Sequence, residues 1–348
     1  MKPGFSTGIP QGLMAGMTWA VVSVGMGSPL MVGSLGSLAQ AQSQTLDQVT
    51  FGTSWYAQAE HGGFYQAVAT GIYEKYGLDV TIQMGGPNVN NVQLLMGDVL
   101  DLMMAPNNLT VLRPLEEDVP IMAVAAIFQK NPQVIIAHPD VESLADLKGR
   151  PIYISASAAM GYWPFLESRF GFTEDQKRPY NFSVSPFIVD PTSAQQGFLT
   201  SEPLAVEREG GFTPSVFLLA DAGWAPYGSL IATKRDTVES NPDLVQRFVN
   251  ASIEGWYSFF KDPQPAFELI KIDNPDMSDE QLAYSFQKLQ EYGIIDSGDT
   301  ATLGIGAMTD ERWETFFKEM VEAGVLQAET DFQQAYTLDF VNQRVGMD

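Results

Sequence analysis

The run Ala59-Glu60-His61-Gly62-Gly63-Phe64 holds one of only two histidines in the chain of 348 residues. An imidazole can donate and accept in the plane of a heterocyclic ligand, or act as a general base. Gly62 and Gly63 put bare backbone at a helix entrance, where N–H groups bind acceptors. An ordinary turn explains the pair equally well. Trp55, just upstream, can stack on a planar ring or pack in the core. Asn107 and Asn108 follow a strand. Their amides suit a ring of mixed donors and acceptors, and they suit a turn as well. Ser155, Ser157, Tyr162 and Trp163 lie in "SASAAMGYWPF", between a strand and a helix with Pro164 near its start. Catalysis and metal binding find less support. Two distant histidines and scattered carboxylates make no metal-ligand set, and no nucleophile and base stand at a recognisable spacing. With no cysteine there is no thiolate, no disulfide and no Cys-based metal site.

These residues need elements to position them, and the pattern supplies them in α/β order. "VTFGTSW" reads as a strand. Phe64, Val68, Ile72 and Tyr76 then form one apolar stripe at i+4 spacing, stopped by Gly77. "LDVTIQM", "LDLMMA" and "PIMAVAAIF" read as further strands with helical segments between them, which predicts a largely parallel sheet covered by helices. "QVIIAHPD" reads as a strand leaving that unit. The chain then starts afresh with a helix at "SLADLKG", a strand at "RPIYISA" and a helix at Tyr162–Phe170. A strand at "FSVSPFIVD", a helix at "TSAQQGFLT" and strands at "SVFLLAD" and "GSLIATK" complete the second unit. Beyond Lys234 the chain reads as helical. The layout predicts two α/β lobes, 48–137 with 231–348 as lobe one and 138–230 as an inserted lobe two. His138, followed by Pro139 at the first crossing, reads as a hinge residue.

The net charge is −23 and the pI about 4.3. No basic face is visible for a nucleic-acid partner, and the acid reads as a well-solvated surface. Residues 1–41 carry one Lys and no Asp, Glu or Arg, then an apolar run ending in Ala39-Gln40-Ala41. That is the form of a cleavable secretory signal peptide. A retained anchor is the alternative, but six glycines from Gly12 to Gly36 and Pro29 make a poor membrane-spanning helix.

The stretches "GFYQAVATGIYEKYGLDVTI", "VQLLMGDVLDLMM", "SLADLKGRPIYIS" and "NPDLVQRFVNASIEGW" resemble the substrate-binding proteins of ABC importers. The resemblance is to the SsuA/THI5-like (NMT1) family, and "W…HGGFY" is most similar to its thiamine-pyrimidine-precursor binders. It implies a two-lobed periplasmic binding protein fold of type II, each lobe a mostly parallel sheet flanked by helices. Two segments join the lobes, and closure traps the ligand between them. It further implies a monomer partnered by a small molecule and by a permease and ATPase at the inner membrane; the signal peptide, with no Cys to carry a lipid, predicts an unanchored protein of the periplasm. His61 would then face the cleft, with Trp55 below and Gly62 offering its amide. The hydroxyls of Ser155 and Ser157, with Tyr162 or Trp163, would close from the other lobe. Glu202 would offer a carboxylate to an amine or aminopyrimidine, and Tyr227, by the return crossing, would close the pocket.

The same family contains a thiamine-pyrimidine synthase that consumes its own His and a Lys-bound pyridoxal phosphate and needs a cysteine-rich iron motif. Here Ala105 and Leu109 occupy the Lys and His places and no Cys exists, so no cofactor and no enzymatic activity are expected. No Arg or Lys occurs in 53–74, 83–111 or 151–168, the stretches expected around the pocket. A small strong anion such as a sulfonate or nitrate is therefore a poorer fit than a neutral or cationic planar nitrogen heterocycle.

Overall fold

The computed structural model describes residues 45–347; the expected signal peptide, residues 1–41, lies outside the described residues. Ten strands follow in chain order: β1 (Asp47–Gly52), β2 (Leu78–Gln83), β3 (Leu102–Asn107), β4 (Ile121–Phe128), β5 (Gln133–Ala137), β6 (Ile152–Ile154), β7 (Lys177–Pro179), β8 (Ala194–Phe198), β9 (Ser215–Leu218) and β10 (Gly228–Lys234). They form two five-stranded sheets, ordered β2-β1-β3-β10-β4 and β7-β6-β8-β5-β9. The two orders repeat one plan. In the first sheet β10 is antiparallel to both its neighbours, β3 and β4, while β1 runs parallel to β2 and β3. In the second, β5 is antiparallel to β8 and β9, while β6 runs parallel to β7 and β8. Each inserted strand is the first one the chain makes after crossing between sheets. The expected mostly parallel sheets are thus mixed, with one reversed strand in each.

The sequence boundary at Ala137 is corrected by this pairing. Gln133–Ala137 joins the second sheet, so the chain crosses at 129–132 and returns before Gly228. Apolar runs of equal strength, "IMAVAAIF" and "QVIIA", do not reveal which sheet each joins. Two further elements exchange roles. Ser185–Val189 is a helix with Pro186 in its first turn, and Ala194–Phe198 is strand β8. The paired glutamines and glycine of "AQQGF" hid a central strand, which tertiary pairing imposes against local propensity. His138 is not a hinge. It stacks between Phe187 and Phe212, centroids 4.5 and 4.9 Å away, and bonds the Phe187 carbonyl at 3.0 Å.

The crossings are anchored by Arg312, on the helix Asp310–Glu322. It donates to the backbone carbonyl of Gln129 in the first crossing and to the Gln129 side chain at 3.0 Å. Its guanidinium lies 4.0 Å from the ring centroid of Tyr227, just before β10. Lys130 and Asp221 tie the two crossings at 3.2 Å.

The glycines of "HGG" are explained by helix packing. The helix Gly62–Ala69 lies against Pro242–Lys261 so closely that a Cβ on Gly63 would sit 2.2 Å from Trp256. A Cβ on Gly62 would sit 2.2 Å from Phe259, and one on Gly255 would meet the Gly63 carbonyl at 2.3 Å. Gly63→Ala should therefore overpack this contact and lower stability by about 1–3 kcal/mol. Urea unfolding measures it; a midpoint equal to wild type would contradict the close-approach account.

Candidate functional site

The parallel strands of both sheets point their carboxyl ends at one another, the place where open α/β sheets hold ligands. After β1 come Trp55, Glu60 and His61, and after β3 come Asn107 and Asn108. After β6 come Ser155, Ser157 and Tyr162, after β7 Tyr180 and Phe182, and after β8 Thr200 and Glu202. Side chains meet across the gap. The Trp55 and Phe182 rings lie 5.3 Å apart at 45°. Phe182 is an exposed phenylalanine held at φ 63°, a left-handed conformation unusual for this residue. The Thr200 hydroxyl donates to Glu60 Oε1 in a short hydrogen bond. The Thr200 carbonyl accepts from Gln281 Nε2 and Ser285 Oγ, both at 2.7 Å. At the rim Arg113 donates to the Met160 carbonyl at 2.6 Å.

The interior of this junction is polar and incompletely satisfied. Glu60 is 2% exposed, and its second oxygen, Oε2, is buried without a partner. Burial pushes its carboxyl up to about 7; the Thr200 bond opposes this and the charge of Glu202 adds to it. Half-buried Glu202 is also raised by desolvation. It is opposed by the Phe198 amide, which donates at 2.8 Å, and by the Tyr180 hydroxyl at 3.1 Å. Burial and the Glu202 charge raise the phenols of Tyr162 and Tyr180. His61 is buried, its pKa pushed down to about 3 by desolvation, so the ring is neutral, and its Nδ1 has no partner. Both side-chain amide atoms of Asn108 are buried and unpaired. Among the described residues neither Glu60 nor Glu202 forms an ion pair.

The expected site residues divide accordingly. Trp55, His61, Asn108, Tyr162 and Glu202 lie at this junction with aromatic faces or polar atoms to offer. Asn107 spends its Oδ1 on the Leu109 amide at 3.0 Å. Ser155 caps its helix through the Ala158 amide at 3.3 Å, and exposed Ser157 lies 3.1 Å from it. Three expectations are corrected. The Gly62 amide is committed to the Ala59 carbonyl, and its missing Cβ serves packing. Trp163 packs on Phe172 at 5.7 Å beneath Lys177, inside the second unit. Tyr227 uses its hydroxyl on Asp299 at 2.7 Å and on the Thr309 amide at 2.9 Å, so it anchors the return crossing. Sequence reasoning missed Glu60, Thr200, Tyr180 and Phe182. The signal for Glu60 was its place beside His61; the other three lie around the strand and helix whose roles were exchanged.

Two mixed sheets of five strands joined by two crossings and flanked by helices are the periplasmic-binding-protein fold. Aliphatic sulphonate binding protein SsuA of Escherichia coli shares it, with a TM-score of 0.64 at 13% identity over 83% of this chain and 91% of that one. The NMT1/THI5-like family profile matches residues 58–266, and the chain belongs to that family. Among curated relatives, riboflavin-binding protein RibY of Chloroflexus aurantiacus is 27% identical over 307 residues, 85% of this chain and 87% of that protein. Formylaminopyrimidine-binding protein of Halalkalibacterium halodurans is 21% identical over 294 residues, 82% and 88% of the two chains.

The raised pKa of Glu60 gives a signed pH dependence. The folded state holds this proton more tightly than the unfolded chain, whose value is near 4.5. That contribution is present in full below 4.5 and is lost as pH rises through 7. Glu60→Gln should match wild type near pH 4 and exceed its stability at pH 8 by up to about 3 kcal/mol. Denaturant melts across that range measure it; a difference independent of pH would contradict the assignment.

Proposed function

We propose that this protein is the extracytoplasmic ligand-capturing subunit of an ABC importer, and that it takes a planar nitrogen heterocycle of the flavin or aminopyrimidine kind. The carrying observation is the junction itself: an aromatic pair, Trp55 and Phe182, beside two desolvated carboxyls, Glu60 and Glu202, neither of which forms an ion pair among the described residues. A flat ring gains stacking and burial against Trp55, and its N–H edge supplies the donor that Glu60 Oε2 lacks. The neutral His61 ring and the Asn108 amide add acceptors and donors in number suited to a heterocycle. The two curated relatives, named for riboflavin and formylaminopyrimidine, support the same class. We place the mature protein in the periplasm, delivering its ligand to a membrane permease.

A sulfonate or nitrate binder in the same fold is the second reading, favoured by the likeness to SsuA. Two carboxylates at the junction oppose it, because like charges in a desolvated site repel. A pyrimidine-synthase activity is the reading of another class. Ala105 in β3 and Leu109 at the next helix start are both buried apolar residues, offering neither an amine nor an imidazole for it.

A thermal-shift panel of riboflavin, formylaminopyrimidine, taurine, ethanesulfonate and nitrate separates these readings. At a hundred times its dissociation constant a ligand stabilises by about 2.7 kcal/mol. Riboflavin or formylaminopyrimidine should raise the melting temperature, and the anions should leave it unchanged. Trp55→Ala should weaken the binding heterocycle by about 1 kcal/mol or more in isothermal titration. Stabilisation by a sulfonate alone would overturn the proposal.

A further inference from the structure

We propose that Glu60 is the specificity-determining residue of the junction, with one carboxylate oxygen reserved for an N–H donor of the ligand and the other tied to Thr200 across the gap. This inference rests on the heterocycle reading above and assigns the coupling within it. Glu60 belongs to the first unit by chain position, in the short turn Ala59–His61 between β1 and the Gly62–Ala69 helix. Thr200 belongs to the second, in the corner between β8 and the helix Glu202–Gly210. The bond between them is therefore a contact made only when the two sheets approach. Thr200 is fully buried there, and its carbonyl also bonds across to the first unit, accepting from Gln281 and Ser285 on the helix Asp279–Glu291. Arg208 and Glu280 form an ion pair between the same two helices.

The two oxygens of Glu60 are unequal. Oε1 has its donor, while Oε2 is buried with none. A buried carboxylate oxygen without a donor is costly, more so beside a second carboxylate. A ligand N–H at Oε2 removes that cost only while the sheets remain closed around it, and Thr200 holds Glu60 in place to receive it. Donor recognition and closure then stabilise one another, as linkage requires. A ligand that presents only acceptors leaves Oε2 unsatisfied and is rejected. Thr200 touches no ligand in this scheme and acts through Glu60 as a positioning residue.

The test combines binding with distance measurement. Because the chain has no cysteine, Val189→Cys and Ile272→Cys, at exposed positions in the two units, accept spin labels site-specifically. Riboflavin and formylaminopyrimidine are the probes. Thr200→Val should weaken the binding probe about tenfold and broaden the ligand-free distance distribution toward longer values. Thr200→Ser should restore both. Glu60→Ala should weaken binding more than Thr200→Val, and Thr200→Val should cost nothing further in the Glu60→Ala background. Additive losses, or Thr200→Val binding and closing like wild type, would overturn the proposal. If neither probe binds the wild type, the heterocycle reading fails. The proposal is then decided by the ligand-free distances alone, and an unchanged distribution in Thr200→Val and Glu60→Ala refutes it.

Discussion

Glu60 sits where the two sheets meet, with one oxygen bonded to Thr200 and the other without a donor. Much of the surrounding structure is arranged so that this carboxyl can be buried there. The turn carrying it is fixed by the Gly62–Ala69 helix, which can approach Pro242–Lys261 only because Gly62, Gly63 and Gly255 lack side chains. The corner carrying Thr200 is drawn against the first unit by two further hydrogen bonds to its carbonyl and by the ion pair of Arg208 with Glu280. Moving either support would separate acceptor from donor and leave a desolvated carboxylate unpaired, an expensive outcome in a low-dielectric interior.

The duplicated sheet plan explains how one chain brings such distant residues together. Each sheet aims its parallel strand ends at the other, and each receives its reversed strand just after a crossing. The two crossings lie side by side and share anchors in Arg312 and in the Lys130–Asp221 pair. Rotation about two adjacent short segments is a hinge motion with few backbone changes. Away from the crossings, the Thr200–Glu60 and Arg113–Met160 bonds and the Trp55–Phe182 pair join the two units. That is the kind of interface that can part and reform.

The sequence made the fold class legible because its signals are local and repeated: an apolar stripe stopped by Gly77, strand runs before helix starts, and a fresh α/β series after the first crossing. It did not reveal which sheet Gln133–Ala137 joins, since strand partnership is a non-local choice. It concealed β8, because Gln195 and Gln196 oppose the apolar pattern of a central strand. At the junction, attention to residue chemistry singled out Trp55, His61, Asn108, Tyr162 and Glu202, which we propose line the site. The same attention misdirected Gly62, Trp163 and Tyr227, whose side chains or missing side chain serve packing and anchoring. Glu60 was passed over in favour of its histidine neighbour. Its place beside His61 was the only signal, a weak one in an acidic chain until its burial is known.

Charge is what separates this junction from one built for sulfonates. An anion needs cations or a dense array of free N–H groups, whereas two carboxylates and a neutral imidazole ask for donors. The most direct measurement is the identity of the small molecule that travels with the protein. Purification from its native host, denaturation and mass spectrometry of the released material would give it. The account predicts a planar nitrogen heterocycle bearing N–H groups in near-stoichiometric amount. Recovery of an alkanesulfonate or nitrate in that amount would contradict it.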